Sequence, residues 1–389
     1  MRIALNGMFL GQESTGSGQY TQQLLRALVQ LDGDNEYLLY TSNSLRAAAT
    51  EIPPCPPLIR GVWGDSLRTP VADLSANLDK VWFEQITFPR ACRSASVDLA
   101  HVPYWASPIR PTVPTIVTVH DLIPMLLPLY RGSALVHLYT RLVAAAARRA
   151  DYVITDSLAS RADIVQHLNI PPERVQVIYL AADATCRPVT DEGTLAALRR
   201  RYDLPDRYIL YLGGFDQRKN LRTLFVAYAR LRQALGSAAP ALVVAGRLPA
   251  VDTPLFPAPQ RLARELGVDE SVLFTGWIPA EDKPPLYSGA LFFAFLSLYE
   301  GFGLMPLEAM ACGTPVLATS TSSLPEIVGD GGLLVAPDDL DAVVAGMTAL
   351  VRDTALRAHL RENALAHASH FTWQRTAEQT LAVYQRVAR

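Results

Sequence analysis

An alternation limits what this chain can fold into. Short, nearly unbroken apolar runs are separated by longer amphipathic stretches along all 389 residues. RIALNG, YLLYTS, TIVTVHD, YVITDS and VQVIYL come first; YILYLGG, ALVVAG, VLFTGW and LFFAFLS follow. Between them lie segments such as TQQLLRALVQL, ALVHLYTRLVAAAARRA, LRTLFVAYARLRQAL and QRLARELG, with apolar residues at helical spacing. Continuous apolar runs suit strands covered on both faces, and strand–helix alternation implies βαβ units with parallel sheets. The expected class is α/β.

A chain of 389 residues exceeds one ordinary core. After VQVIYL comes the polar stretch AADATCRPVTDEGTLAALRRRYDLPDRY, with Pro188, Gly193 and Pro205, and YILYLGG then restarts the pattern. The expected boundary is near 186–200, giving doubly wound Rossmann-like domains over 1–188 and 200–371. The last segment, 372–389, is an expected helix with Trp373, Ala377, Leu381 and Tyr384 at helical spacing. Open α/β sheets bind ligands beyond the carboxyl ends of their strands. With two such domains the expected site is the cleft between them. Its residues should be polar ones placed directly after strands.

Composition narrows the functions. The chain is 50% hydrophobic and 19% charged, which is globular rather than disordered. A net charge of -2 gives no bulk pull toward nucleic acid or an anionic membrane, so no nucleic-acid partner is expected. Cys55, Cys92, Cys186 and Cys312 are far apart in sequence and form no CxxC. A zinc site or disulfide framework is not expected, and a reducing cytosol is the simplest compartment. MRIALNGMFL enters an apolar strand without a signal-peptide pattern, and no apolar run is long enough to span a bilayer.

Four stretches follow expected strands. GMFLGQESTGSGQY carries Gly11, Gly16 and Gly18 before a helix, where backbone and helix N-terminus can approach an anion. It reads equally as a flexible turn. TVHDLIP puts His120 and Asp121 at a strand end; such a histidine can bond a sugar hydroxyl or move a proton, or simply be structural. YLGGFDQRKNL sets Arg218 and Lys219 ahead of a helix, a pattern suited to a diphosphate. EGFGLMPLEAMACGTPV follows LFFAFLS, with Glu300 before Gly301-Phe302-Gly303, Pro306 in the first helical turn and Glu308 further on. A dipole-favoured first-turn glutamate accounts for Glu308 alone but leaves Glu300 unexplained. Asp32-Gly33-Asp34 spells DxD, yet lies at the wrong edge of a parallel sheet. VAAAARRA at 143–150 reads as a solvated helix end with dipole-favoured arginines, or as a membrane-facing basic helix.

SLYEGFGLMPLEAMACGTPVLATSTSSLPEIVGDGGLLVAPDD resembles the donor-site signature of family 4 glycosyltransferases of the GT-B fold, whose hallmark is E-x7-E, here Glu300 and Glu308. TGSGQYTQQLL, DLAHVPYWASP, TVHDLIPMLLP, FDQRKNL and VLFTGWIPAEDKPPLYSGA resemble further family segments in the family's order. The likeness is strongest to bacterial mannosyltransferase-type enzymes of polysaccharide or O-antigen assembly. It implies two Rossmann-like domains facing a central cleft, with helix 372–389 packing back on the first. Retaining transfer of a hexose from a nucleotide-diphosphate sugar to a glycan or lipid-linked acceptor is implied, with no metal or cofactor and with room for peripheral membrane contact.

The same resemblance implies residue roles. Glu300 contacts donor-sugar hydroxyls, with Gly301, Phe302, Gly303 and Leu304 around that sugar. Glu308 binds the ribose. Lys219 and Arg218 hold the diphosphate, with Gly16 and Gly18 facing it, and His120 lies near the reacting carbon. Acceptor specificity would sit in loops such as 53–75 and 104–112. Two departures stand out: Gly214-Phe215 replaces a common Gly-Arg, leaving Arg218 as the substitute cation, and Leu296 replaces a usual proline. A nucleotide-sugar epimerase of the same fold, or a non-catalytic nucleotide-sugar-binding partner, remains open at this point.

Overall fold

A computed structural model describes residues 1–12, 15–42, 62–67, 69–70 and 75–388. Cys55, the Pro-rich segment 53–57 and most of the expected acceptor loop 53–75 lie outside the described residues. The chain forms two compact units, residues 1–180 with 372–389, and residues 181–371.

The first unit contains β1 (Arg2–Asn6), β2 (Glu36–Ser42), β3 (Val62–Leu67), β4 (Leu99–Val102), β5 (Thr115–Thr118), β6 (Tyr152–Thr155) and β7 (Val175–Val177). They form one parallel sheet in the order β3-β2-β1-β4-β5-β6-β7. The helix Trp373–Val387 belongs to this unit. Its Thr376, Ala377, Thr380, Val383 and Tyr384 are buried, and Thr376 Oγ1 donates to Tyr179 O at 2.7 Å. Tyr384 Oη lies 2.7 Å from His101 Nδ1, and Thr118 Oγ1 lies 2.8 Å from His101 Nε2. Burial first, and the neighbouring His120 second, push His101 down to about 3, so this strand-end histidine is a neutral structural group.

The second unit contains β8 (Tyr208–Leu212), β9 (Ala241–Ala245), β10 (Val272–Gly276), β11 (Phe292–Phe295), β12 (Val316–Thr319) and β13 (Gly332–Val335). Its parallel sheet runs β10-β9-β8-β11-β12-β13. β8 and β11 are wholly buried, as strands with helices on both faces must be. In each sheet the strand order reverses once, between β1 and β4 and between β8 and β11. At such a reversal the loops leave in opposite directions and open a crevice for a ligand.

The strands β3, β4, β12 and β13 are not among the apolar runs read above. β4 is only LAHV, with His101 inside it, and β13 is GLLV beside a glycine turn. β3, VWGDSL, is broken by Gly64, Asp65 and Ser66, and pairing within the sheet completes all four.

Candidate active site

The β8–β11 reversal holds a buried charge cluster. β8 ends in Gly213-Gly214, and the chain crosses buried Phe215 and Asp216 into a short turn, Gln217–Lys219, before the helix Leu221–Leu235. The loop after β11 meets it. Lys219 Nζ lies 2.6 Å from Glu300 Oε1, and Arg218 Nη1 lies 2.6 Å from Glu300 Oε2. Arg218 Nη1 also donates to Tyr299 O at 2.9 Å, and its Nε to Asp216 Oδ1 at 3.1 Å. Lys219 Nζ stands 4.8 Å from the centre of the Phe295 ring. The two expected diphosphate cations and the expected sugar-binding glutamate are therefore one network.

Electrostatics follow from that geometry. Burial acts against the charge on Glu300, but Lys219 and Arg218 outweigh it and hold the carboxyl below its usual range. Burial also acts on Lys219, and with Arg218 it outweighs Glu300, drawing the ammonium below the ordinary lysine range. Each Glu300 oxygen retains acceptor capacity beyond its cation, so hydroxyls can still bind a carboxylate fixed in place. The backbone is fixed too. Glu300 N donates to Ser322 Oγ at 2.8 Å, and Ser323 Oγ donates to Glu300 O at 3.0 Å and to Phe302 O at 2.6 Å. Gly303, at φ 112°, leads into the helix Leu304–Ala311 without a side-chain cap. That conformation strongly favours glycine, and it leaves the helix N-terminus uncapped beside Gly301 and Phe302.

Glu308 lies in the second turn of this helix and is 5% exposed. Tyr287 Oη donates to its Oε2 at 3.0 Å, and Lys283 Nζ lies 3.4 Å from both oxygens. The Cys186 thiol lies beside that of Cys312, and this neighbour, then burial, then Glu308 push Cys186 upward. These thiols, remote in sequence, are neighbours in space and both are free.

The first unit supplies its own polar groups. His120 follows β5, and its Nδ1 lies 2.6 Å from Oδ2 of Asp156, which follows β6 and is 2% exposed. Its Nε2 faces Pro103 O at 3.3 Å. Both ring nitrogens thus meet acceptors, which assigns a proton to each. Burial opposes that charge, but Asp156 and Asp121 overcome it, and His120 titrates above its ordinary range. It is a poised cation and donor rather than a free base. Gly16 opens the helix Gly16–Leu31; a Cβ there would meet nothing within 4 Å. Gly18 N donates to Thr15 Oγ1 at 3.1 Å, and a Cβ at Gly18 would lie 2.2 Å from Gln12 O. Gly18 therefore serves close packing, with its amide already committed. Asp32 accepts from Asn35 Nδ2 at 2.6 Å and Tyr37 Oη at 2.5 Å, so the DxD string is a turn.

Asp156, Lys283, Tyr287, Ser322 and Ser323 were not singled out in the sequence. Asp156 carries the same signal as His120, a polar residue directly after an apolar run. Lys283 and Tyr287 sit on the short helix Lys283–Ser288, where no strand-end rule points.

Two parallel sheets, each reversing once, with cations and a glutamate fixed over the second reversal, agree with the class that the sequence resembles, the nucleotide-sugar enzymes of the GT-B fold. The model for glycosyl transferases group 1 matches residues 198–367, and that for glycosyltransferase family 4 matches residues 14–185. The O-antigen chain mannosyltransferase B of Escherichia coli is 33% identical over 270 residues, 69% of this chain and 70% of that one. The serotype-specific mannosyltransferase WbdA of Escherichia coli is 31% identical over 276 residues; the match covers 70% of this chain but only 33% of WbdA. Sucrose-phosphate synthase from Thermosynechococcus elongatus superposes with a TM-score of 0.76 at 23% identity, covering 100% of this chain and 99% of that one. The chain belongs to the family 4 glycosyltransferases and is a nucleotide-sugar-dependent glycosyltransferase.

Proposed function

We propose that this enzyme moves a mannose-type hexose from a nucleotide-diphosphate sugar to a glycan or lipid-linked saccharide, with retained anomeric configuration and without a metal or other cofactor. The observation that carries the reading is the Lys219–Glu300–Arg218 network over the β8–β11 reversal. The incoming diphosphate would share the two cations, and the Glu300 carboxylate, already oriented, would accept sugar hydroxyls. Glu308 would take the ribose, and Gly301 to Leu304 would surround the sugar and its phosphate. His120 would donate from the first unit, with Gly16 beside the phosphate. Mannose is the sugar named in the two Escherichia coli relatives.

Calorimetric titration with UDP, GDP, ADP, dTDP and CMP, without added metal, tests this. One nucleotide should be selected, and Glu308→Ala should weaken it by about ten- to a hundredfold, the loss of hydrogen bonds to a charged acceptor. No binding to any of them, even with magnesium, would overturn the donor site.

The reading extends to the cytoplasmic face of a membrane. Among the described residues no helix is long and apolar enough to cross a bilayer. Leu135, Leu138, Leu129 and Val136 are 78%, 64%, 49% and 45% exposed on and before the helix Ala134–Ala147. Beside them is a cavity of about 420 Å³ lined in part by Arg131, His137, Arg141 and Arg148. Exposed leucines flanked by arginines suit an anionic lipid surface, since each buried leucine gains about 1.5–3 kcal/mol and each nearby arginine about 1 kcal/mol. Wild type should float with phosphatidylglycerol vesicles but not with phosphatidylcholine, and Leu135→Glu/Leu138→Glu should remain at the bottom. Equal recovery of both proteins would remove the membrane from the proposal.

A further inference from the structure

The first sheet has its own reversal, between β1 and β4, and a cluster lies there that the transfer reading leaves unused. Lys80 Nζ stands 5.2 Å from the centre of the Phe9 ring, 5.9 Å from that of Tyr104 and 5.1 Å from that of Tyr139. Phe9 follows β1 and Tyr104 follows β4, and their rings meet edge to face at 4.7 Å. The ammonium pairs with Glu84 Oε1 at 3.9 Å, too far for a hydrogen bond. The lysine side chain is 29% exposed, and that of Glu84 is 0% exposed. An ammonium with three donors therefore sits in an aromatic frame, part-exposed to solvent and without a hydrogen bond among the described residues.

The surroundings are built for this. Glu84 sits in a π-helical segment, Phe83–Thr87, an irregularity frequent at functional sites. Tyr139 Oη donates to Glu84 Oε2 at 2.8 Å. Asn6, the last residue of β1 and 1% exposed, accepts from Tyr104 Oη at 3.2 Å. Asn6 Nδ2, Glu84 Oε1 and Trp105 Nε1 are buried without a hydrogen-bond partner among the described residues. Unpaired buried polar atoms are costly, and two of them, Asn6 Nδ2 and Glu84 Oε1, belong to residues that contact the Tyr104 and Tyr139 frame. Burial pushes Glu84 up to about 7, with Lys80 and the tyrosine hydroxyls acting the other way.

We infer that this cluster is a subsite for a neutral saccharide residue of the acceptor, with Lys80 donating to its hydroxyls, the half-buried Phe9 and Tyr139 rings packing against its C–H face, and Glu84 positioning Lys80. The inference rests on the transferase reading given above. Charge decides the ligand class. A single ammonium with Glu84 beside it offers a phosphate one cation at most, whereas a polyol needs donors, acceptors and an apolar wall. Its nearness to the sheet reversal supplies the crevice.

The test uses methyl α-D-mannopyranoside as probe, followed by saturation-transfer NMR, with nucleoside diphosphate affinity measured alongside. Wild type should transfer saturation to the glycoside, and Lys80→Met should weaken its binding by about tenfold, one charged hydrogen bond. Nucleotide affinity should stay as in wild type. The double variant Lys80→Met/Glu84→Gln removes both charges together and guards against a misfolded single variant. Equal glycoside binding in wild type and the variants overturns the subsite. So does wild type that binds nucleotide but no glycoside, or inorganic phosphate that displaces the glycoside. If wild type binds neither nucleotide nor glycoside, the transferase reading itself falls.

Discussion

Lys219→Ala should lower kcat roughly 30- to 1,000-fold, or about 2–4 kcal/mol, the cost of losing one preorganised group that stabilises developing charge. On the proposed reading the diphosphate gains charge as the glycosidic bond breaks, and the buried Lys219 would meet that charge without having to reorganise. Arg218 remains, which is why loss should be partial. The variant also strands Glu300 Oε1, whose cation now lies at 2.6 Å. Glu300 is held below the usual carboxylate range, so its stabilising contribution is present above that range and is lost as pH falls through the lowered value. Without Lys219 the folded value of Glu300 moves up toward its unfolded one, so this acid loss shrinks, visible as a shallower fall of Tm on acidification. Donor turnover by Lys219→Ala equal to wild type would remove Lys219 from the transfer step; an unchanged acid limb would break its link to Glu300.

The fold class was legible because both faces of each sheet are covered. Strands such as TIVTVHD and LFFAFLS then read as apolar runs whose ends are visible, and polar residues just past those ends stand out. That rule points to His120, Lys219 and Glu300. It does not say which strand ends are neighbours. Glu300 closes on Lys219 because β11 lies beside β8, and Asp156 reaches His120 because β6 lies beside β5. Sheet order depends on pairings across many residues, which local pattern does not contain. Cys186 and Cys312 show the same limit from the other side: distance in sequence suggested unrelated thiols, while the fold brings them together near Glu308. His101 and His120 show it most sharply. Each is a histidine in or just beyond an apolar run, yet one is neutral and buried against Thr118 and Tyr384, and the other is a charged donor. Only the partner distinguishes them, and in each case it lies on another element.

Asp156→Asn should therefore cost activity through His120 rather than through any contact of its own with substrate. The carboxylate lies 2.6 Å from His120 Nδ1 and is nearly inaccessible to water. His120 also faces Asp121, neutral His101 and the ring of Tyr20 at 4.9 Å, and of these only Asp121 shares the sign of Asp156. An asparagine keeps the shape and removes the charge, so the imidazolium loses most of what offsets its burial. With Asp156 present, His120 titrates above its ordinary range; its contribution to stability is complete below about pH 6.5 and is lost as pH rises through the raised value. In Asp156→Asn the folded value falls toward the unfolded one, so that alkaline loss shrinks. If the protonated Nε2 exchanges its weak 3.3 Å contact with Pro103 O for a donor oxygen, kcat at neutral pH should fall by about a hundredfold, and the alkaline limb of the rate profile should shift toward acid. NMR titration of His120 in both proteins measures the cause, and the rate profile measures the consequence. A lowered His120 titration with an unmoved rate profile would show that its charge plays no part in transfer. An unmoved titration would overturn the role given to Asp156.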